Sequence, residues 1–385
     1  MSQAAPYEPP VPEQPERPGV SPGGRRTRLL VIPALIVVLL VAIPGGTYVF
    51  AQSQLSQAQS AESAGDYAKA LSGYSTVESV AGNPVGKLLL GDLNDQAVNG
   101  TAQTHLQWGV QLKQQGKFAE GKTQLDAVAQ SRIADWSARG NAALADLFVA
   151  WGQELVAQQQ FQAGIDKYTQ VAIYDPAGNV APSVNAGLAA AYAGFAAWYT
   201  TQQPPDYINA LSWYETLIKD YPDGAQAKQA EAGPMPQTLY NAALAFVQQA
   251  KYQQARDAMT ELVQKYPASS WAPKASTALK AAQQLTGTLV ISNQNPTPIA
   301  NRLIRIAGHW NIVKAHTYQD AAPIYSTVTD AKGNFTLNLP PGQYLITWWD
   351  PTRLTFVTTF VSDSVPVNVV TINPLEPAHT TVSSS

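Results

Sequence analysis

The chain has 385 residues, more than one compact domain usually needs, and only 13% of them are charged. Its net charge of −3 excludes the basic footprint that is typical of nucleic-acid-binding proteins. The chain contains no cysteine, which excludes disulfides, thiol catalysis, cysteine-ligated metal and lipid attachment at an N-terminal cysteine.

Residues 1–28 are predicted to form a disordered, proline-rich tail. Their first part, MSQAAPYEPPVPEQPERPGVSPGG, has a composition that cannot build a hydrophobic core. Arg25, Arg26 and Arg28 close this segment. The tail is expected to lie in the cytoplasm because of the segment that follows it.

Residues 29–50, LLVIPALIVVLLVAIPGGTYVF, carry no charge and have about the length of a bilayer-spanning helix. The arginines on the N-terminal side predict a cytoplasmic N-terminus, with everything after about residue 51 outside the cell membrane. A cleaved signal peptide is the alternative, because Val49-Phe50-Ala51 offers a cleavage site and Pro44-Gly45-Gly46 would break the helix. Both hypotheses export the rest of the chain.

A helical pattern recurs five times between residues 53 and 284. An aromatic residue is followed at +3 by a small residue and at +7 and +10 by large ones, so these side chains share one helix face. In the last three instances a proline at +15 ends the helix. The five instances are Tyr67, Ala70, Tyr74 and Val77; Phe118, Gly121, Leu125 and Val128; Phe161, Gly164, Tyr168, Val171 and Pro176; Tyr207, Ala210, Tyr214, Leu217 and Pro222; Tyr252, Ala255, Met259, Leu262 and Pro267.

Two of these helices are preceded by a second signature, Trp108-Gly109 and Trp151-Gly152. Each glycine is predicted to lie on a first helix and to accept close packing from the second. Together these patterns over residues 53–284 resemble the tetratricopeptide repeat, a two-helix unit. The aromatics are spaced 51, 43, 46 and 45 residues apart, more than the usual ~34. Longer helices or inserted loops must therefore be present, notably at 82–100 and 200–206.

The resemblance implies stacked helix pairs whose first helices line a concave surface. The candidate partner-binding residues on that surface are aliphatic and amide side chains, which suits an apolar or amide-rich segment better than a basic tail or a carboxylate. The alternative is that several of them pack between helices, because groove and core positions lie one residue apart. These candidates are Gln103, Leu106, Val110, Val149, Gln153, Tyr240, Leu244 and Gln248.

Short segments rich in β-branched and aromatic residues replace the helical period near residue 285. The stretch STVTDAKGNFTLNLPPGQYLITWW, residues 326–349, resembles the carboxypeptidase regulatory-like domain, a transthyretin-type sandwich. The resemblance covers residues 286–375 and implies an accessory module without catalysis of its own. The fold class is therefore multidomain α plus β: a tetratricopeptide-like α-solenoid, then a small antiparallel β-sandwich. Residues 376–385 are predicted to be a flexible tail.

Three details of the predicted sandwich bear on binding. Asp330 and Asn334 are expected to satisfy amides of their own turn rather than hold calcium. Trp348 and Trp349 should point to opposite faces of one strand, so one is core and the other is free to stack on a sugar or a partner. His309 and His316 lack a third metal ligand.

No motif in the sequence predicts a catalytic residue, a cofactor or a metal site, so we expect no enzyme activity. The favoured hypothesis is a membrane-anchored extracytoplasmic scaffold in the cell envelope that binds a partner protein or an extended peptide. The alternative is a cell-surface adhesion or glycan-binding protein that contacts polysaccharide through the β-sandwich.

Overall fold

A computed structural model describes residues 45–82, 84–292 and 294–384. The predicted tail 1–28 and most of the predicted transmembrane segment 29–50 lie outside these ranges. Within them, no helix combines the length and the apolar character that a membrane crossing requires. Residues 45–50 are helical and exposed, and the helix continues to residue 63. The helix break that the signal-peptide alternative places at Pro44-Gly45-Gly46 falls at the edge of the described residues and stays a prediction.

The chain divides into two units, Met1–Leu147 and Phe148–Ser385. The described residues contain twelve helices, here α1 to α12. The first unit holds α1 (residues 45–63), α2 (Tyr67–Ala81), α3 (Pro84–Gln114), α4 (Phe118–Ala129) and the start of α5 (Ala134–Ala157). The second unit holds the rest of α5, then α6 (Phe161–Tyr174), α7 (Ala181–Thr200), α8 (Tyr207–Asp220), α9 (Ala225–Ala232), α10 (Pro234–Gln248), α11 (Tyr252–Lys265) and α12 (Ala272–Lys280).

The predicted five-fold pattern describes the second helix of every pair. Helices α2, α4, α6, α8 and α11 each begin at the predicted aromatic residue, and their +3, +7 and +10 side chains are buried. Helices α6, α8 and α11 end two residues before the predicted prolines. The pattern is therefore a packing pattern, as predicted.

The glycines of the two Trp-Gly signatures lie where paired helices approach most closely. A Cβ atom on Gly109 would come within 2.6 Å of the Leu125 side chain, and one on Gly152 within 2.9 Å of the Tyr168 ring. No side chain larger than hydrogen fits at either position without displacing its neighbour. This confirms that the first helices use glycine to admit the large residues of the second.

The extra length between repeats is absorbed mainly by helix rather than by loops. Of the two possibilities for residues 82–100, a longer helix or an inserted loop, the longer helix is the one present: residues 84–100 belong to α3, which has a non-helical residue at Leu90 (φ −130°, ψ 21°). Leu90, Leu93 and Ala97 are buried at helical spacing, and this apolar periodicity outweighs the glycines around them. Residues 201–206 form the predicted connection between α7 and α8.

Ten strands follow the helices. They are β1 (Gln283–Val290), β2 (Leu303–Lys314), β3 (Thr317–Val328), β4 (Asn334–Leu339), β5 (Gly342–Asp350), β6 (Thr355–Val357), β7 (Phe360–Ser362), β8 (Val365–Pro366), β9 (Val369–Ile372) and β10 (Ala378–Ser383). One sheet has the order β10-β1-β4, a second has β3-β2-β5-β6 with β9 also paired to β5, and β7 pairs with β8. Strands β1 and β10 run parallel, whereas the other pairs are antiparallel.

Inward-facing side chains from both larger sheets form one hydrophobic core. Phe335 and Leu339 of β4 are buried in this core, and Leu337 between them packs against it. Tyr344, Ile346 and Trp348 of β5 belong to the same core. The fold class, helix pairs followed by a mainly antiparallel β-structure, is the one predicted.

The flexible tail predicted for residues 376–385 is wrong over most of its length. Residues Ala378–Ser383 form β10, which pairs with β1 from Leu285 to Val290. Val382 is fully buried in the sandwich core. The segment HTTVS is polar, but it contains three consecutive β-branched residues, Thr380, Thr381 and Val382, which favour a strand. The β-structure also begins at Gln283, slightly before the predicted residue 286.

Within the second unit, the segment between β9 and β10 contacts the helices. Leu375 packs against the helical core. Arg256 on α11 donates through Nη1 to Glu376 Oε2 at 2.8 Å and to the Pro374 carbonyl at 3.3 Å. This partly buried, charge-assisted contact joins the last repeat to the sandwich.

Replacing Leu262 with alanine tests the packing role of the repeat pattern. Leu262 is fully buried on α11, so Leu262→Ala should lower the free energy of unfolding by about 2–5 kcal/mol through lost burial and a residual cavity. Gln264→Ala, an exposed position on the same helix, should change it by no more than about 0.5 kcal/mol. Urea unfolding followed by circular dichroism at 222 nm measures both; equal effects would contradict the assignment.

Candidate functional site

An open cleft of about 410 Å³ lies on the first unit and is lined mainly by amide side chains. Helix α3 supplies a stripe along one face at helical spacing, and α1 supplies the opposite wall. We call this surface the amide cleft; its residues are Gln59, Glu62, Ser63, Tyr74, Gln96, Asn99, Gly100, Gln103 and Gln107. Amide side chains both donate and accept hydrogen bonds, which is what the backbone of an extended peptide requires.

The floor of the amide cleft is built by Tyr74 and Glu62. Tyr74 is buried, and its ring lies so close to Gly100 that a Cβ there would come within 2.4 Å of it. Its hydroxyl donates to Glu62 Oε2 at 2.7 Å. Burial first, and then the hydrogen bond and charge of Glu62, raise the pKa of Tyr74 above the usual tyrosine range. The tyrosine therefore remains a proton donor to the carboxylate.

The second oxygen of Glu62 sets what the cleft can bind. Glu62 Oε1 is buried and has no hydrogen-bond partner among the residues that the structure describes. A buried acceptor without a donor carries a desolvation cost that a ligand donor would remove. Asn99 is held in place on the other wall, because its Oδ1 accepts a hydrogen bond from Trp136 Nε1 at 2.7 Å. The cleft therefore combines an unsatisfied acceptor, Glu62 Oε1, with the fixed amide of Asn99 and the other amide side chains of the lining.

The candidates on α3 divide between the cleft and the core. Gln103 is exposed and lines the amide cleft. Leu106 is half-buried and packs against a small core of Ala102, Val128 and Trp136. Val110 is half-buried and lies outside the cleft lining. Only the amide of this set faces a cavity.

The candidates in the second unit divide in a similar way. Gln153, Gln248 and Leu244 are exposed, Leu244 to 41%. Tyr240 packs against the helical core and against Trp271, with ring centroids 5.3 Å apart. Val149 is only 8% exposed, so its assignment to a binding surface is wrong. The nearby α5 residues Leu144, Leu147 and Phe148 are buried as well.

An aromatic cluster on α7 and α8 was not expected from the sequence. Phe195 is at its centre, with Trp213 at 4.8 Å and Tyr199 at 5.1 Å between ring centroids, and Phe161 of α6 at 5.5 Å. Trp198 at its edge is 37% exposed. The rings stack mostly on one another, so they stabilise the repeat more than they offer a site.

In the sandwich, the two adjacent tryptophans behave as expected for opposite faces. Trp348 is 6% exposed in the core, whereas Trp349 is half-buried and meets the Phe356 ring edge-on at 5.3 Å. Asp330 forms the predicted turn: its Oδ1 accepts from the amides of Lys332 at 2.7 Å and Asn334 at 2.8 Å. These backbone bonds lower the pKa of the carboxyl.

The histidines do not assemble into a metal site in the part of the chain that the structure describes. No group of three histidine, aspartate or glutamate residues has a metal-binding arrangement there. His316 instead lies 3.3 Å from Asp363, through Nε2 and Oδ1, and stacks on Phe360. His105 Nδ1 lies 2.8 Å from Gln124 Oε1.

Residues 237–269 match the family model described as tetratricopeptide repeat. The matched range spans most of α10, all of α11 and the turn after it, which supports the repeat interpretation of the fifth helix pair. No curated protein matches the chain in sequence.

Several solved structures share a similar arrangement at low identity. The C-terminal part of a TPR repeat-containing protein from Cytophaga hutchinsonii is 15% identical, with a TM-score of 0.21, covering 57% of this chain and 98% of that one. YrrB, described as a TPR protein with an unusual peptide-binding site, is 13% identical (TM-score 0.18), covering 58% and 90%. An (S)-allantoin synthase is 15% identical (TM-score 0.20), covering 67% and 96%. At these TM-scores the likenesses do not bear on function.

Replacing Tyr74 with phenylalanine tests the floor of the amide cleft. Tyr74→Phe should lower the free energy of unfolding by about 1–3 kcal/mol, because the Glu62 carboxylate loses its donor. Tyr67→Phe on the same helix, where the ring stacks on Trp108 at 6.0 Å, is the matched control and should have an effect below about 0.5 kcal/mol. Urea unfolding gives both values, and an equal loss in the two variants would rule out the Glu62 contact as the cause.

Proposed function

We propose that the chain is a membrane-anchored, extracytoplasmic scaffold of the cell envelope that binds an extended segment of a partner protein. The observation that carries this proposal is the amide cleft on the first unit, a stripe of glutamine and asparagine side chains above Glu62. An extended peptide exposes one backbone donor and one acceptor per residue. The cleft offers complementary groups at helical intervals, as in a repeat whose first helices hold a ligand.

The position of Glu62 indicates which hydrogen-bonding groups the partner segment should carry. Its unpartnered Oε1 needs a donor, and the cleft lining contains no lysine or arginine to supply one. A backbone amide or an asparagine or glutamine side chain of the partner would donate there without introducing a charge. An amide-rich segment therefore fits better than an acidic one, which would bring a second carboxylate toward Glu62.

The location is proposed from the sequence. Residues 29–50 are uncharged and apolar, and Arg25, Arg26 and Arg28 precede them. By the positive-inside rule this arrangement would leave the helix pairs and the sandwich outside the membrane. A scaffold in the envelope then meets its partner beside the membrane that anchors it.

Site-specific photocrosslinking tests the amide cleft in the native membrane. A photoreactive residue at Gln59 or Gln103 should capture one partner segment, which mass spectrometry then identifies. The control is Gln57, an exposed glutamine on α1 that lies about 200° around the helix from Gln59. Equal capture from Gln57 would contradict the proposed face.

Binding of the captured segment tests the chemistry. For a synthetic peptide of that sequence, the double variant Gln103→Glu, Gln107→Glu should raise the Kd about tenfold or more, equivalent to about 1.4 kcal/mol, because it replaces amide donors with carboxylates. Gln57→Glu adds charge on the other face and should leave Kd unchanged. An unaffected Kd in the double variant would refute the cleft as the binding site.

External protease applied to intact cells tests the location independently. Cleavage should occur in the exposed turns after residue 53, such as residues 158–160 between α5 and α6, since exposed turns are preferred cleavage sites. A cytoplasmic protein of the same cells must survive the treatment. Full protection from external protease, with cleavage only after lysis, would contradict an extracytoplasmic location.

A further inference from the structure

A second cleft, of about 690 Å³, lies on the β-structure of the second unit, far in sequence from the amide cleft. It is open to solvent and has a mostly polar lining that includes Arg305, Tyr318, Asp320, Arg353, Phe356 and Phe360. We call it the sandwich cleft. These residues come from β2, β3, β6 and β7 and from the β5–β6 connection.

The cleft exists because the β2–β3 hairpin folds back over its own sheet. Arg305 pairs with Ser326 in the β2–β3 ladder, yet its guanidinium contacts Asp320, six residues away along β3. A straight strand would separate those positions by about 20 Å. A register shift between Ala307 and His309 marks the irregularity in the ladder, as expected where a strand bends.

The sheet face beneath the hairpin is the one opposite the core. Ile304 and Ile306 point into the core, so Arg305 between them points to the other face. Thr347 lies opposite Arg305 in the β2–β5 ladder and is fully buried on that face. The folded-back hairpin thus covers the sheet face that carries Arg305 and Thr347 and forms one wall of the cleft.

Asp320 is the central polar group of this wall. Its side chain is only 8% exposed, and Oδ2 lies 3.3 Å from Arg305 Nη1. Its Oδ1 is buried and finds no hydrogen-bond partner within the described part of the chain. Burial raises the pKa of the neighbouring Tyr318 to about 12, so that hydroxyl keeps its proton. The cleft therefore places an unsatisfied acceptor beside guanidinium and hydroxyl donors.

The charges of the cleft are largely compensated. Arg305 is paired with Asp320 and also lies 3.7 Å above the Phe356 ring. Arg353 Nε lies 3.6 Å from Asp350 Oδ2. Because each arginine already has a carboxylate partner, a ligand that brings its own negative charge gains little. A neutral ligand that both donates and accepts is better matched.

We propose that the sandwich cleft binds a neutral saccharide through vicinal hydroxyl groups. One hydroxyl donates to Asp320 Oδ1, and its neighbour accepts from the exposed guanidinium of Arg353. A hydroxyl is donor and acceptor in a single atom, so adjacent hydroxyls satisfy closely placed acceptors and donors that a peptide amide, with its donor and acceptor on opposite sides, would not match.

The aromatic lining suits the apolar face of a sugar ring. Phe360 is half-buried at the rim and stacks with His316, with centroids 5.5 Å apart and planes 17° apart. Both rings belong to the lining of the sandwich cleft. Ligand sites commonly combine such aromatic surface with a few placed polar groups.

Calorimetric titration of the full-length chain with neutral oligosaccharides tests the proposal. The probes are hexamers of glucose, mannose and N-acetylglucosamine at millimolar concentration, with inorganic phosphate as the anionic comparison. Two variants address the site: Asp320→Asn, which weakens the acceptor, and Arg353→Ala, whose side chain is 72% exposed and whose loss leaves the fold intact. Asp223→Asn, at an exposed carboxylate between α8 and α9 and outside the lining, is the matched control.

At least one neutral hexamer should bind, and Arg353→Ala should weaken it about tenfold, as expected for loss of a charge-assisted hydrogen bond. Asp320→Asn, where it folds, should do the same, and Asp223→Asn should bind as the unchanged chain does. Three results would overturn the proposal: no neutral hexamer binds, phosphate alone binds, or Arg353→Ala binds as tightly as the unchanged chain. None of these results affects the amide cleft, which is in the other unit.

Discussion

The helical part depends on one packing constraint. In α2, α4 and α6, a large side chain packs against a glycine of an adjoining first helix. Tyr168 shows it most clearly: a Cβ at Gly152 would come within 2.9 Å of its ring, and one at Gly187 within 2.2 Å. One ring thus contacts the helix before and the helix after its own. Because both neighbours are fixed by the same side chain, the repeats stack by nearest-neighbour contacts, as solenoid repeats do. The polar faces of the first helices are left free to bind.

The same constraint explains which features could be predicted from the sequence. A side chain that must fill a fixed space recurs at fixed spacing, so the +3, +7 and +10 positions identified the second helices and their first residues. A single exposed amide side chain does not have to fill a fixed space, so it need not recur at a fixed spacing. Gln103 was found because it lies one turn from a packing position, whereas Glu62 and Tyr74, twelve residues apart, meet only after α1 and α2 have paired.

The errors have physical causes of the same kind. The repeat spacing left a longer helix or an inserted loop open at residues 82–100, and three buried apolar residues at helical spacing, Leu90, Leu93 and Ala97, account for the helix. Val149 and Tyr240 lie on helices with apolar residues on more than one face, where periodicity alone does not separate core from groove. In the β-structure, the β2–β3 ladder has two register shifts, between Ala307 and His309 and between Ile312 and Lys314, and no local residue pattern predicts the bend of this hairpin. The contact between Arg305 and Asp320 could therefore not be predicted from the sequence.

Both clefts share one chemical feature, a carboxylate of which only one oxygen has a hydrogen-bond or ion-pair partner among the described residues. Glu62 gives one oxygen to Tyr74, and Asp320 gives one to Arg305, while the second oxygen of each is buried without a partner. A fold gains nothing from leaving such an acceptor unpaired, since pairing it would lower its desolvation cost. The amide cleft surrounds its acceptor with uncharged amides on a helix face, and the sandwich cleft surrounds it with paired guanidinium groups and aromatic rings. The two environments favour different donors, so the ligands proposed for the two clefts differ in chemistry.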